Sequence, residues 1–314
     1  MNKVIVILGP TASGKTDVSI ELSKFIECEI ISADSRQIYR YLDIGTAKPT
    51  INELNKVKHH FIDILNPDEY FSAGLFGKMG EAVIDELFNK NKIPVIAGGS
   101  GLYIKALCEG LFAEDKIDDT NEIRKILNNR LQSEGIENLY DELVKADYES
   151  ALLYSDKNPR RILRALEYYH LTGLPLSKAH KEKCDKKNFT ALYFGIRFER
   201  EILYDRINKR SEFMWEDGLV DETIKVIEMG YSQELNSLNT VGYKECLSYL
   251  KGDITRIRAI ELTKQNTRRY AKRQMTWFRK NENINWLDGG NDKLIAEKIL
   301  TISKLNFDID SYRF

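Results

Sequence analysis

Cysteine is scarce in this chain: four in 314 residues, Cys28, Cys108, Cys184 and Cys246, far apart and sharing no pair spacing. That scarcity argues against a disulfide framework and a cysteine-based zinc site, and fits a reducing cytoplasm. Excess charge is missing as well. Against 47 basic side chains stand 48 acidic ones, for a formal net charge of −1. No global field draws such a chain to nucleic acid, so any polyanion must be met by local patches. No apolar run is long enough to cross a bilayer. The first apolar stretch begins almost at Met1, so no N-terminal targeting segment is expected. Internal repeats and low-complexity segments are absent too. The length suits one large domain with an insertion, or two domains.

What is present begins directly after the apolar run Val4–Leu8. Residues Gly9, Pro10, Thr11, Ala12, Ser13, Gly14, Lys15 and Thr16 have the Gly-x-x-x-x-Gly-Lys-Thr spacing of a phosphate cradle between a strand and a helix. The glycines let several backbone N–H groups point at one spot, and the helix opening at Gly14 adds its positive end there. Lys15 brings a mobile ammonium, and the Thr16 hydroxyl can take a Mg²⁺ ligand position. The loop leaves open which phosphorylated molecule it holds, a nucleotide such as ATP or a smaller diphosphate.

The order of elements predicts an α/β fold, a P-loop NTPase-like parallel sheet flanked by helices, with an all-helical insertion. Strands are expected at Val4–Leu8, Glu29–Ala33, Pro94–Ala97, Thr190–Phe198 and Ile284–Leu287, with a further extended run over His60–Leu65. A helix is expected over Ser72–Asn89, with Ser72 as its N-cap. Between about 113 and 188 only helical patterns occur: Asn121–Glu134, Ile136–Val144 and Pro159–Leu171. We therefore divide the chain into a core, 1–112 with 189–314, and an insertion, 113–188. Helices follow at Glu199–Glu216, Val220–Met229, Tyr243–Leu250, Thr255–Lys280 and Asp292–Leu305. Ligands in such sheets lie beyond the carboxyl ends of the strands, so Asp34 and the Gly98–Gly101 turn should face the crevice of the glycine loop.

Two basic clusters stand out. The long C-terminal helix holds Arg256, Arg258, Lys264, Arg268, Arg269, Lys272, Arg273, Arg279 and Lys280, with Glu261 as its one acid and Tyr270 and Trp277 among the cations. Like charges stacked without interleaved acids destabilise a helix unless an anion is present. The second cluster, Arg160, Arg161 and Arg164, follows Asn158-Pro159, an N-cap and first-turn proline. Cations at a helix N-terminus oppose its dipole, a penalty that a phosphate-rich partner would offset. The alternative in both places is a solvated face, or arginines paired to distant acids.

For chemistry, Asp34 ends the second strand; ligating Mg²⁺, acting as a base and capping the next turn all remain open to it. His59 and His60 are adjacent on an extended segment and point to opposite faces, so one ion cannot easily take both. His170 and His180 are isolated. Arg200 opens a helix straight after a strand, near the crevice, and is a candidate diphosphate partner. No later strand ends in the second Mg²⁺-binding aspartate usual in NTPases, so the loop is expected to hold a leaving group and transfer no phosphoryl group.

Together with Gly9–Thr16, the stretches Asp34–Tyr39, Asp43–Pro49, His59–Asp63, Gly98–Tyr103, Asn158–Glu167, Thr240–Lys244 and Ala271–Arg279 resemble the bacterial tRNA dimethylallyltransferase (tRNA isopentenyltransferase) family, in that family's order and over nearly the whole chain. Ser100 stands where threonine is commoner and keeps the hydroxyl; the zinc finger of eukaryotic members is missing. The resemblance implies transfer of a dimethylallyl group from dimethylallyl diphosphate to the exocyclic amine of the adenine just 3′ of the anticodon, in tRNAs reading codons that begin with U. It implies Mg²⁺ as cofactor, a cytoplasmic monomer, and the tRNA anticodon stem-loop held between core and insertion. A channel would admit the base from one side and the diphosphate from the other. It assigns proton acceptance to Asp34, with Lys15 and Arg200 on the diphosphate. Contact with tRNA is implied for Asp34, Ser35, Arg36, Gln37, Ser100 and Arg124. The same holds for Arg160, Arg161, Ile162, Leu163 and Arg164, and for Asn239, Thr240, Val241, Gly242, Tyr243 and Lys244. The last such segment is Lys272, Arg273, Gln274, Met275, Thr276, Trp277, Phe278 and Arg279. Prenylation of a free nucleotide, small-molecule phosphorylation by ATP, and nucleotide-gated RNA binding without catalysis are the competing readings.

Overall fold

A computed structural model describes residues 2–110, 121–181 and 187–306. In chain order the elements are β1 (Asn2–Leu8), α1 (Lys15–Ser23), β2 (Cys28–Ser32), α2 (Ile51–Leu54), β3 (His59–His60), α3 (Ala73–Asn89), β4 (Ile93–Gly98) and α4 (Gly101–Glu109). Then come α5 (Asn121–Ala146), α6 (Tyr148–Leu153), α7 (Pro159–Thr172), α8 (Leu176–Lys181), β5 (Phe189–Arg197) and α9 (Arg200–Glu216). The chain continues through α10 (Leu219–Glu228), α11 (Tyr243–Leu250), α12 (Arg256–Phe278), β6 (Ile284–Asp288) and α13 (Asp292–Asn306). It divides into two compact units, Met1–Cys108 with Asn188–Phe314, and Glu109–Lys187. Among the described residues no helix is long and apolar enough to cross a membrane.

The first unit is built on a six-stranded sheet in the order β3-β2-β4-β1-β5-β6, every pairing parallel. Ile5 and Ile7 pack with Val18, Ile20 and Leu22 of α1 and with Ile295 and Ile299 of α13. The alternate residues Val4, Val6 and Leu8 are equally buried. Helices therefore cover both faces, which is why β1 reads as a continuous apolar run and does not alternate. Because β1 lies between β4 and β5, the loop that leaves its carboxyl end opens at the middle of the sheet. The Ser72 side chain accepts the Leu75 N–H, so the expected cap is in place.

The expected extended run His60–Leu65 is a correction. Only His59 and His60 pair in the sheet, because Phe61 and Asp63 adopt positive φ values of 64° and 56°. Such values are unfavourable for these residues, and long-range bonds impose them. The Asp63 and Ile64 amides donate to the carbonyls of Gln37 and Ile38, at 3.2 and 3.0 Å. His59 and His60 have different partners. Nδ1 of His59 bonds the Val57 carbonyl at 2.9 Å, and Nε2 of His60 bonds buried Glu29 at 2.7 Å. Cys28, Cys108 and Cys246 are free and buried, whereas Cys184 lies outside the described residues.

The second unit is helical. Gly135, at φ 78° and ψ 172°, breaks α5 into the two expected helices. Leu127, Leu139, Leu143, Ile162 and Leu166 form its core. Buried Asp147 ties the short helices together: it accepts the Ser150 N–H and hydroxyl at 3.0 and 2.6 Å, and the Ser177 N–H at 2.8 Å.

Candidate functional site

The carboxyl ends of β1, β2 and β4 converge on a cavity of about 870 Å³, lined by the glycine loop, Asp34, Gln37, Ala97–Gly99 and the polar side of α9. Gly14 caps α1 at φ 81°, a conformation favouring glycine, and turns the loop amides and the helix end to one point. Thr16 lines the same cavity. The Ser13 hydroxyl is buried without a hydrogen-bond partner; an oxygen-rich anion in the loop would satisfy it, so the residues present fit a diphosphate. A Mg²⁺ ion prefers oxygen ligands and keeps substrate phosphates among them; the Thr16 hydroxyl beside such a diphosphate suits it.

Three cations surround the loop. Burial, and next the Arg210 charge, lower Lys15 to a pKa of about 8, while the Asp34 charge works the other way. Its ammonium donates to the Pro10 carbonyl at 2.8 Å. Arg210 donates to the Thr11 hydroxyl, and burial lowers its pKa to about 10, again opposed by Asp34. Arg206 donates to the Ala12 carbonyl at 2.8 Å and lies over the Phe198 ring, 4.8 Å from its centroid. Lys15 and Arg210, crowded where burial disfavours their charge, are arranged for an anion.

Arg200 is a correction to the expected diphosphate set. It is exposed, its guanidinium sits 5.1 Å from the Tyr204 ring centroid, and it is not among the residues lining the cavity. Arg206 and Arg210, four residues apart on one face of α9, line the cavity where Arg200 was expected. That spacing was readable in the sequence; which face of α9 meets the loop was not.

Asp34 lines the cavity with Lys15. One carboxylate oxygen also accepts the amides of Arg36 at 2.8 Å and Gln37 at 3.4 Å, so the capping role exists beside any chemical one. The Ser35 amide donates to the Ser100 hydroxyl at 3.1 Å. Arg36 reaches the Asn236 carbonyl at 2.7 Å. Tyr270 lies beside these groups, and burial first, with the Asp34 charge second, pushes its hydroxyl up to about 12. The sequence presents it only as an aromatic among cations.

Several residues expected at the RNA surface have inward roles. Gln274 is buried, accepts the Thr11 amide at 2.8 Å and donates to the Gly99 carbonyl at 2.9 Å, bracing the glycine loop from α12. Phe278 and Tyr243 are buried, as are Gly242 and, in the second unit, Ile162; Leu163 packs partly buried on the second unit's core. Side chains of Lys272, Arg273, Thr276, Trp277 and Lys280 line a shallow outward hollow of about 240 Å³. Asn239, Lys244 and Arg279 are exposed, while Thr240, Val241 and Met275 are partly buried.

The basic clusters divide between pairing and exposure. On α12, Lys264 pairs with Glu212 and Arg268 meets Asn208, both supplied by α9. One acid and one amide thus come from a neighbouring helix along that half; Arg256 and Arg258 are exposed at the start of α12, and Arg269, Lys272, Arg273, Arg279 and Lys280 toward its C-terminal end. In the second unit Arg124 and Arg164 share buried Glu167, at 2.6 and 3.1 Å. Arg160 is exposed, and Arg161 lies 3.6 Å from Asp156. Asn158 occupies the N-cap position of α7 but its side chain caps nothing.

Comparison with known proteins fits these features. A family model described as IPP transferase matches residues 37–281. The chain is 47% identical over 292 residues to a tRNA dimethylallyltransferase of Acetivibrio thermocellus, covering 92% of each chain. It is 42% identical over 300 residues to one of Staphylococcus aureus, covering 94% of this chain and 96% of that one. Among solved structures, the tRNA isopentenylpyrophosphate transferase of Bacillus halodurans is similar at a TM-score of 0.71 and 39% identity, covering 97% and 96%. A eukaryotic dimethylallyltransferase acting on tRNA is similar at 0.82 and 28%, covering all of this chain and 81% of its own.

Proposed function

The chain belongs to the IPP transferase family, and from that premise we propose that it transfers a dimethylallyl group from dimethylallyl diphosphate to the exocyclic amine of the adenine 3′ of the anticodon, in tRNAs reading U-initial codons. Diphosphate is the other product. The assignment carries with it a cytoplasmic enzyme working as a single copy. The observation that carries the chemistry is the meeting of Lys15, Arg210 and Asp34 on one cavity.

An adenine amine is a poor nucleophile, its lone pair being delocalised into the ring. As nitrogen bonds the allylic carbon, the carbon–oxygen bond breaks and its electron pair leaves with diphosphate. Asp34 accepts the proton the amine sheds. The loop amides, the Ser13 hydroxyl, Lys15 and Arg210 take up the negative charge that grows on the leaving oxygen. Thr16 would hold Mg²⁺, which supplies further charge neutralisation on the diphosphate. Holding both reactants in line supplies much of the rest. The adenine must leave its stack to react, at a cost of a few kcal/mol, and a single-stranded anticodon loop is where that is feasible. The exposed cations near the C-terminal end of α12 and at the start of α7 are the surfaces we assign to the RNA backbone.

The test is to incubate the protein with dimethylallyl diphosphate, Mg²⁺ and either unmodified tRNA or AMP, and weigh the products. A single prenyl mass on tRNA is expected. Mass gain on AMP alone would make it a nucleotide prenyltransferase, phosphate consumed from ATP without adduct a kinase, and RNA retained without chemistry a binding protein. A second expectation concerns Arg161. Replacing it with alanine should weaken tRNA binding and reduce the salt slope by about one phosphate contact; an unchanged slope in a binding titration over salt would remove this residue from the interface.

A further inference from the structure

One wall of the cavity is a short irregular segment in which Asp43, Ile44, Thr46, Ala47 and Lys48 all face the void. A backbone without regular structure needs an outside partner for its polar groups. For the amides of residues 43–45 a single carboxylate on α10 supplies it. One oxygen of Glu222 accepts the Asp43 and Ile44 amides at 2.9 and 2.8 Å. The other accepts the Gly45 amide at 3.2 Å and the Tyr243 hydroxyl at 2.5 Å. Tyr243 is fully buried, and burial together with the Glu222 charge keeps its hydroxyl protonated well above the ordinary range, so it donates. Gly45 is required by closeness: a Cβ there would fall 2.5 Å from the Tyr243 ring.

The far end of this wall reaches the reacting centre. The Gln37 side-chain amide donates to the Thr46 and Ala47 carbonyls at 3.3 and 3.0 Å. The Gln37 backbone amide in turn meets the Asp34 carboxylate at 3.4 Å. A continuous path of bonds runs from Glu222 through the 43–47 segment and Gln37 to Asp34.

We propose that Glu222 is a positioning residue for prenyl transfer: by clamping the 43–45 amides it fixes the wall against which Gln37 and the Asp34 carboxylate are set. The inference rests on the prenyl-transfer reading above. Glu222→Gln turns one acceptor into an N–H group facing backbone donors, so the clamp opens while the side-chain volume is kept. The expected result is a kcat lowered between about ten- and a hundredfold, the scale of a misplaced catalytic group. The KM for tRNA and the affinity for inorganic pyrophosphate should stay within about threefold, and amide exchange in peptides spanning 41–48 should accelerate. A folded Glu222→Gln protein with wild-type kcat, or with unaltered exchange over 41–48, overturns the proposal. Should that variant fail to fold, Tyr243→Phe loosens the clamp by one bond, and wild-type kcat with wild-type exchange there overturns it equally. Exchange is read without turnover. A wild-type protein that transfers no prenyl group therefore strikes the functional reading, while unaltered exchange strikes this one.

Discussion

Replacing Lys15 by alanine should lower prenyl transfer by roughly two to three orders of magnitude, about 3–4 kcal/mol of lost transition-state stabilisation. The size follows from where the ammonium sits. Burial of the ammonium limits how far water screens a growing charge beside it, and the Arg210 guanidinium stands close enough to depress the same ammonium. Two cations held together at an energetic cost before reaction are repaid when diphosphate separates from carbon. A pH signature goes with the mutation. With its pKa lowered to about 8, Lys15 is charged below that value and neutral above it, so kcat/KM for the donor should fall as pH rises through about 8. Profiles of kcat/KM report groups of the free enzyme. Lys15→Arg should carry the plateau to higher pH, because arginine keeps its charge. Measuring kcat/KM for dimethylallyl diphosphate from about pH 6.5 to 9.5 on the three proteins decides the matter. A wild-type profile flat across 8, or a Lys15→Ala variant within about threefold of wild type, would remove Lys15 from the leaving-group role.

The parts of this fold that could be read from the chain are those governed by neighbours in sequence. Val4–Leu8, the glycine loop and the Ser72 cap are local patterns, and each formed where expected. What was not legible depends on contacts made across the molecule. Phe61 and Asp63 look extended by composition, yet bonds to residues 37 and 38 force them into positive φ. The short helices Ile51–Leu54, Tyr148–Leu153 and Leu176–Lys181 are held by caps and by buried Asp147, and carry too few turns to show a period. The site shows the same division. Asp34 and Lys15 are placed by strand ends and a loop. Arg210 and Gln274 matter because particular faces of α9 and α12 come against the glycine loop, and no residue near either one signals that. Gln274 sits within a strongly basic stretch, so its amide reads as part of an RNA surface until its two partners, Thr11 and Gly99, are seen.

Asp34→Asn should reduce prenyl transfer by roughly 10²–10⁴-fold while tRNA still binds. Asparagine is the informative replacement, because two of the roles open to this residue can be separated by it. The carboxylate oxygen that accepts the Arg36 amide at 2.8 Å has a counterpart in the asparagine carbonyl, so the cap over the 34–37 turn survives. What disappears is the ability to take a proton from nitrogen. The electrostatics change as well: Asp34 is the charge that favours the ionised forms of Lys15 and Arg210. Its removal should carry the alkaline limb of the donor profile below pH 8. Single-turnover transfer with saturating donor and tRNA isolates the chemical step, and a parallel filter-binding titration reads the RNA. A variant that binds tRNA, melts like wild type and transfers at a rate within about tenfold of it would leave Asp34 as a cap alone, with the proton going elsewhere. Loss of tRNA binding in step with activity would instead make the carboxylate an anchor for the base. Slow chemistry on bound RNA, with the lowered alkaline limb, is the combination that proton acceptance requires.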